Sequence, residues 1–230
     1  MKVKLISYSK PSDELVNDGI ENVQDLIAFC ARVSNPANQY NSETAEKLIN
    51  YLVKNAHWSP LEMASACLEI ETTRDIAHQI VRHRSFAFQE FSQRYADPTK
   101  ELNFVLREAR LQDTKNRQNS IAITEEDIMT SDAAAELVRI WEQKQKYVIA
   151  AAEDAYKWAI DNGIAKEQAR AVLPEGLTST RLYMNGTLRS WIHYIEVRSA
   201  NGTQLEHMEI ARECACVIAA IFPMVSDFCG

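Results

Sequence analysis

Arg82, His83 and Arg84 stand in a row, and after seven more residues come Ser92 and Arg94. Arginine's planar fork matches phosphate or carboxylate through paired hydrogen bonds, and a nearby hydroxyl adds a donor. Such a set can hold an anion. The chain as a whole carries a formal net charge of -7. A dense cationic stretch inside an acidic protein points to a pocket for one particular anion, and the acidic balance argues against nucleic acid as a partner.

The spacing suggests how these side chains converge. Arg74 to Val81 has helical periodicity, which continued would put Gln79, Arg82 and His83 at i, i+3 and i+4 on one face. Beyond it, Glu90, Ser92 and Arg94 alternate with Phe91, Gln93 and Tyr95. In an extended segment that alternation places carboxylate, hydroxyl and guanidinium on one side. A solvated helix end followed by a surface strand would carry the same residue types. No Gly-x-Gly-x-x-Gly or P-loop occurs among the six glycines, so a phosphate would be held by side chains and helix N-termini. The arginines available are Arg82, Arg84, Arg94, Arg170, Arg189 and Arg198.

The elements that must position these groups read as an alternation of strands and helices. Lys2 to Ser9 predicts a strand and Val23 to Cys30 a short helix, and Ser42 can cap a third element with its apolar face at Ala45, Ile49 and Leu52. Glu62 to Glu71 predicts a strand, followed by the motif helix from Thr73. The longest periodic stretch runs from Ser131 to Asn162-Gly163, with Trp141, Tyr147 and Trp158 expected in the core. A short helix before Pro174, a strand over 178–185 and helices over 188–197 and 204–221 complete the chain. The expected fold is α+β, a small, mainly antiparallel sheet packed with long helices in a single domain over 1–230.

Composition sets outer bounds. With 46% hydrophobic and 25% charged residues, the chain is ordinary for a globular protein, and 230 residues can bury a substantial core. No apolar run approaches the ~20 residues that cross a bilayer, and the start lacks a signal-peptide core, so a cytoplasmic protein without a membrane partner is expected. Five cysteines with no C-x-x-C pair read as reduced, mostly buried thiols. His78 and His83 are five apart, not four, and no metal site is expected. His78 reads as a packed helix histidine and His207 as structural or exposed.

The order Arg-His-Arg-x7-Ser resembles the signature of the flavin-dependent thymidylate synthases. His57-Trp58-Ser59-Pro60-Leu61-Glu62 is similar to that family's H-x-S/T-P-x-E segment, Ala169 to Pro174 to its AR-x-x-LP helix end, and Arg189-Ser190-Trp191-Ile192-His193 to its RS-x-x-H/N helix. Arg198, Gln204 and Glu206 follow in order. The resemblance runs from about Arg32 to Glu213. The segment Glu101 to Thr130 does not match, and its polar run 112–119 reads as a subgroup loop, disordered or covering the site.

The resemblance implies reductive methylation of dUMP to dTMP. Carbon would come from 5,10-methylenetetrahydrofolate, and NADPH would reduce bound FAD. It further implies a homotetramer with active sites shared between subunits. Carried over residue by residue, the substrate set is Gln79, Arg82, Glu90, Ser92, Gln93, Arg94, Arg170 and Arg198, with Ser92 and Arg94 at the phosphate and Arg170 contributed by a neighbouring subunit. The cofactor set is His57, Ser59, Arg82, His83, Arg84, Glu90, Arg189 and His193; the family often has asparagine in the place of His193. Arg198 and Ser92 are the candidate catalytic residues. Arg198 is implied beside the uracil and the flavin edge. Ser92 has no evident base to make it a nucleophile, which favours phosphate binding. The Pro-Cys pair of the classical thymidylate synthase is absent. A non-catalytic nucleotide-binding regulator and an RNA-binding module are the rival readings; a yellow, flavin-bearing protein favours the enzyme, whereas a colourless one that still binds deoxyuridylate favours the regulator.

Overall fold

The computed structural model describes residues 2–228. In chain order the first half contains β1 (Lys2–Tyr8), α1 (Asp13–Asn17), α2 (Val23–Ala31), α3 (Ala45–Lys54), β2 (Ser65–Thr73), α4 (Arg74–Ile80), β3 (Ala87–Glu90), α5 (Pro98–Glu101), and a small hairpin of β4 (Arg110–Gln112) and β5 (Ser120–Ala122). The second half contains α6 (Glu125–Thr130), α7 (Asp132–Asp161), α8 (Lys166–Ala169), β6 (Ser179–Thr187), α9 (Leu188–Ser199) and α10 (Leu205–Ala219).

The main sheet has four strands in the order β1-β2-β6-β3, every neighbouring pair antiparallel. Alternation explains its two faces. Ala66, Leu68 and Ile70 on β2 and Leu182, Met184 and Gly186 on β6 are buried, while Arg181, Tyr183 and Asn185 are exposed. On the exposed face Arg181 Nη2 lies 2.9 Å from Glu71 Oε1, a cross-strand pair in register. Helices α4, α9 and α10 cover the buried face, with Ile76, Ile80, Trp191, Ile195, Ile210 and Cys214 in the core between them. This is the α+β architecture expected from the sequence.

Gly186 lies inside β6, which runs past the strand expected over 178–185. A Cβ there would come within 2.4 Å of Phe86 Cδ1, so only glycine lets the Phe86 ring close over the strand. Phe86 in turn packs edge-on against Trp191 with centroids 4.8 Å apart. Helix α3 begins at Ala45 with Thr44 at its N-cap, and neither Thr44 nor Ser42 caps it through a side chain.

Three expectations about burial are corrected. Trp141, Tyr147 and Trp158 on α7 are 43%, 75% and 61% exposed. The residues of α7 that are buried within one chain are Gln145, Ala152, Tyr156 and Ala159, so its helical apolar period is wider than the surface that covers it. Of the cysteines, only Cys214 is buried among the described residues. Cys30 and Cys67 are partly exposed, Cys216 is exposed, and Cys229 lies outside the described residues. His78 is likewise exposed, its Nδ1 lying 3.5 Å from Glu175 Oε2. Among the described residues no helix is long and apolar enough to cross a membrane.

Candidate active site

The short helix α4 is fixed at its start and aims its end at α9 and α10. Arg107 Nη2 donates to Asp75 Oδ1 at 2.8 Å and to Thr73 Oγ1 at 2.5 Å, tying the segment after α5 to the first turn of α4. Arg74 Nη1 donates to Glu90 Oε1 at 3.1 Å, and Thr180 Oγ1 donates to the same oxygen at 2.9 Å. Glu90 is thus held by this chain's own Arg74 and Thr180 and orients α4 against β3 and β6.

Helix α4 ends at Ile80, so Arg82 and His83 do not continue it. Gln79 and His83 still turn toward the same neighbours, while Arg82 is exposed. The expected common face therefore holds for two of the three residues. Arg198, in the last turn of α9, donates its Nε–H to His83 Nε2 at 2.8 Å. The Tyr194 ring stands edge-on to His83 with centroids 4.9 Å apart. Burial pushes the His83 imidazole down to about 4, helped by Arg198 and His193. His83 is therefore neutral near pH 7, and since Nε2 accepts from arginine its proton sits on Nδ1.

Behind this pair lies a line of polar contacts. Tyr194 Oη is 3.2 Å from His207 Nε2, and His207 Nδ1 is 3.3 Å from Gln79 Oε1. Gln79 Nε2 donates to Gln204 Oε1 at 2.8 Å, and Gln204 Nε2 to Glu206 Oε2 at 2.9 Å. Glu206 pairs with Arg107 at 3.1 Å and with Arg110. Burial opposes the ionisation of Glu206, but its own backbone N–H, Gln204 and the two guanidinium groups outweigh it and hold the carboxyl below the ordinary range. His207, fully buried, is pushed down to about 3 by burial, Arg198 and His83. A cavity of about 410 Å³ opens beside Glu206, lined by Arg107, Arg110, Thr73 and Thr180.

The loop after β3 departs from the extended reading. The strand ends at Glu90, and the amides of Tyr95 and Ala96 donate back to the carbonyl of Ser92, which closes a turn. Glu90, Ser92 and Arg94 therefore do not share a strand face; Asp97 and Pro98 start α5 immediately and leave no length for a further strand. Ser92 Oγ accepts from the Arg94 amide at 3.4 Å. Gln93 is 3% exposed, and its Nε2 is a buried donor with no partner. Arg94 reaches Glu167 at 3.2 Å, and Lys166 donates to the Tyr95 carbonyl at 3.0 Å. These contacts bring α8, and with it Arg170 in the next turn, against the Ser92 loop.

The remaining candidates lie at the surface. His57 follows a left-handed Ala56 (φ 56°) and stands edge-on to Tyr51 at 6.3 Å, and Ser59 opens the single turn Ser59–Glu62. Arg189 is ion-paired with Glu62, joining the 57–62 segment to the start of α9. His193 is exposed one turn before Val197 on the same helix. Arg82 and Arg84 are exposed and make no side-chain hydrogen bond or ion pair among the described residues. Among the described residues no group of three His, Cys, Asp or Glu could hold a metal ion.

Sequence reasoning missed Arg107, Arg110, Arg74, Tyr194 and the buried role of His207. Arg107 and Arg110 lie in the unmatched segment, where nothing but their spacing singles them out. Tyr194 and His207 carried a weak signal, a polar ring at an apolar position of each helix period.

The family model described as thymidylate synthase complementing protein (Thy1) matches residues 14–224. A probable flavin-dependent thymidylate synthase of Paramecium bursaria Chlorella virus 1 is 45% identical over 226 residues, covering 98% of this chain and 97% of that protein. A flavin-dependent thymidylate synthase of Synechocystis sp. (strain ATCC 27184 / PCC 6803 / Kazusa) is 46% identical over 228 residues, covering 98% of each chain. Among solved structures, a UMP/dUMP methylase, PolB, from Streptomyces cacaoi bound with 5-Br dUMP shares the fold, with TM-score 0.76 at 22% identity over 99% of this chain and 93% of that one. With its matched motifs in the same order, and with near-complete coverage by these relatives, the chain belongs to the Thy1 family of thymidylate synthase complementing proteins.

Proposed function

We propose that this protein is a flavin-dependent thymidylate synthase that methylates dUMP to dTMP, with 5,10-methylenetetrahydrofolate as carbon donor and NADPH as reductant of bound FAD. One observation carries the reading: identity of 45–46% across nearly the whole chain to two proteins of that name, in a sequence that keeps Arg82-His83-Arg84-x7-Ser92.

The residues present suit an anionic, pyrophosphate-bearing cofactor. Arg82 and Arg84 are exposed cations without a partner among the described residues, in a protein of net charge -7. With His57, Ser59, His83, Arg189 and His193 they would hold FAD. Bound and reduced, FAD would supply the hydride for the methyl group. The chain's own contribution is charge and position. Arg198, fixed through its Nε–H by neutral His83, keeps its terminal guanidinium nitrogens free to stabilise negative charge on the uracil carbonyl oxygens. A guanidinium does this without giving up a proton. Ser92, Arg94 and the unpartnered amide of Gln93 offer donors for the nucleotide phosphate. Gln79 offers an amide to the nucleotide, and Glu90 sets the loop through Arg74.

Arg170 is read as completing a neighbouring subunit's nucleotide site in a homotetramer. The open position of Arg82 and Arg84 in the single chain supports a shared site. So does the apolar surface of Leu137, Trp141, Tyr147, Val148 and Trp158 on α7. The protein is read as cytoplasmic, with the whole chain acting as one catalytic unit and with no nucleic-acid or membrane partner.

The deciding experiment incubates the purified protein with dUMP, methylenetetrahydrofolate and NADPH. dTMP formation by a yellow protein, and a sedimentation mass near four times 26.1 kDa, are the expected results. A colourless protein that binds dUMP without turnover would refute the reading.

A further inference from the structure

The line of contacts behind Gln79 has a direction, and Glu206 sets it. An ionised carboxylate can only accept hydrogen bonds. Gln204 must therefore point its NH2 at Glu206, as it does at 2.9 Å, which leaves its carbonyl facing Gln79. Gln79 must then present its NH2 to that carbonyl, at 2.8 Å, and its own carbonyl to His207. His207 Nδ1 must carry the proton that meets Gln79 Oε1 at 3.3 Å, so Nε2 accepts the hydroxyl of Tyr194 at 3.2 Å. Each residue has one arrangement open to it once the carboxylate is fixed. The carboxylate itself is fixed by Arg107 and Arg110, both from the segment whose sequence departs from the family pattern.

We propose that Glu206, clamped by Arg107 and Arg110, is a positioning residue that polarises this five-membered chain and thereby decides which atoms Gln79 presents to a bound nucleotide. The proposal rests on the reading of Gln79 as a nucleotide contact. With its carbonyl turned to His207 and its NH2 to Gln204, Gln79 keeps one N–H and one carbonyl lone pair uncommitted, on defined sides. With the chain reversed, those two groups would exchange places and a nucleotide would meet a donor where it needs an acceptor. The far end of the same chain holds the Tyr194 hydroxyl, and the Tyr194 ring backs His83, the partner of Arg198. The chain that orients Gln79 thus ends on a ring packed behind the His83–Arg198 pair. Segment 101–112 gains a specific task, that of holding the carboxylate in place.

The test is Glu206→Gln, which keeps size but lets residue 206 donate as well as accept, so both directions become possible. Selective 15N labelling of histidine reads the outcome, since there are only five histidines to resolve. In the wild type and in Glu206→Asp, His207 is expected as the Nδ1–H tautomer alone. In Glu206→Gln an Nε2–H population is expected, with KM for dUMP raised about tenfold and kcat changed by less than about twofold, the pattern of a lost binding contact. Gln204→Met breaks the chain one link away and leaves the arginine clamp intact; it should give the same two changes if Glu206→Gln does not fold. An unmixed Nδ1–H tautomer in Glu206→Gln, or an unchanged dUMP KM once the tautomers mix, overturns the proposal. If the wild type neither binds nor converts dUMP, the functional reading fails, while the tautomer result still decides whether Glu206 sets the direction.

Discussion

Arg198 and His83, 115 residues apart in sequence, meet through a single 2.8 Å hydrogen bond in which the guanidinium Nε–H donates to a neutral imidazole. This contact fixes the plane of the guanidinium and leaves its two terminal nitrogens directed elsewhere. Lysine cannot reproduce it, because an ammonium is a point charge without a fork. Arg198→Lys should keep its fold and lower kcat/KM for dUMP by about a hundredfold, in the range seen when one charge-stabilising donor is lost. Steady-state kinetics beside a thermal melt would show it; turnover at the wild-type level would remove Arg198 from the chemistry.

Burial, with Arg198 beside them, pushes the His83 and His207 imidazoles down from the ordinary 6.5 to about 4 and about 3. Between about pH 6.5 and 4 the unfolded chain therefore binds protons that the folded chain refuses. Stability is at its full value above pH 6.5 and falls as pH drops through the folded-state values. Glu206, also depressed, adds its own loss only below the ordinary carboxylate value of 4.5. The midpoint of urea unfolding should fall between pH 7 and pH 5, and His83→Gln should flatten that slope. An unchanged midpoint in the wild type would mean that these imidazoles are protonated in the fold.

Arg82 and Arg170 are predicted to separate by ligand. Arg82→Ala should lose most bound flavin, measured by absorbance after gel filtration, with the melting temperature in the absence of added flavin unchanged, because the side chain is exposed and has no partner among the described residues. Arg170→Ala should retain flavin and raise the dUMP requirement about tenfold or more, the weight of one charge-assisted contact. Identical flavin loss in both would contradict the division.

Gly186→Ala tests the seat of the Phe86 ring. The new methyl would meet Phe86 Cδ1 at 2.4 Å and push the ring away from Trp191. A loss of about 1–3 kcal/mol is expected from overpacking of this kind. Chemical denaturation measures it, and a neutral result would show that Phe86 can move without cost.

The elements that repeat one pattern over several residues were legible in the sequence. The stretch Glu62 to Glu71 announced β2, and the helical period through Trp141, Tyr147 and Trp158 announced α7, although the face of α7 that is buried is that of Ala152, Tyr156 and Ala159. Where a single turn intervenes, the pattern misleads. Ser92 and Arg94 alternate as a strand would, yet the Ser92 carbonyl accepts two amides and the backbone curls. Trp141, Tyr147 and Trp158 have the period of a core face, but whether a face is covered depends on what packs there and not on the helix itself.

Taken alone, the sequence determined which side chains are available and in what order: the Arg82-His83-Arg84-x7-Ser92 run, the segment at His57, the arginines at 170, 189 and 198, and an acidic chain around them. Only the tertiary structure decided their protonation and direction. Whether His83 is neutral depends on its burial and on Arg198, and the side on which Gln79 carries its amide is tied to Glu206 by two hydrogen bonds through Gln204. Electrostatic and hydrogen-bonding constraints act over a few ångströms between residues more than a hundred positions apart, and no local pattern in the chain encodes that distance.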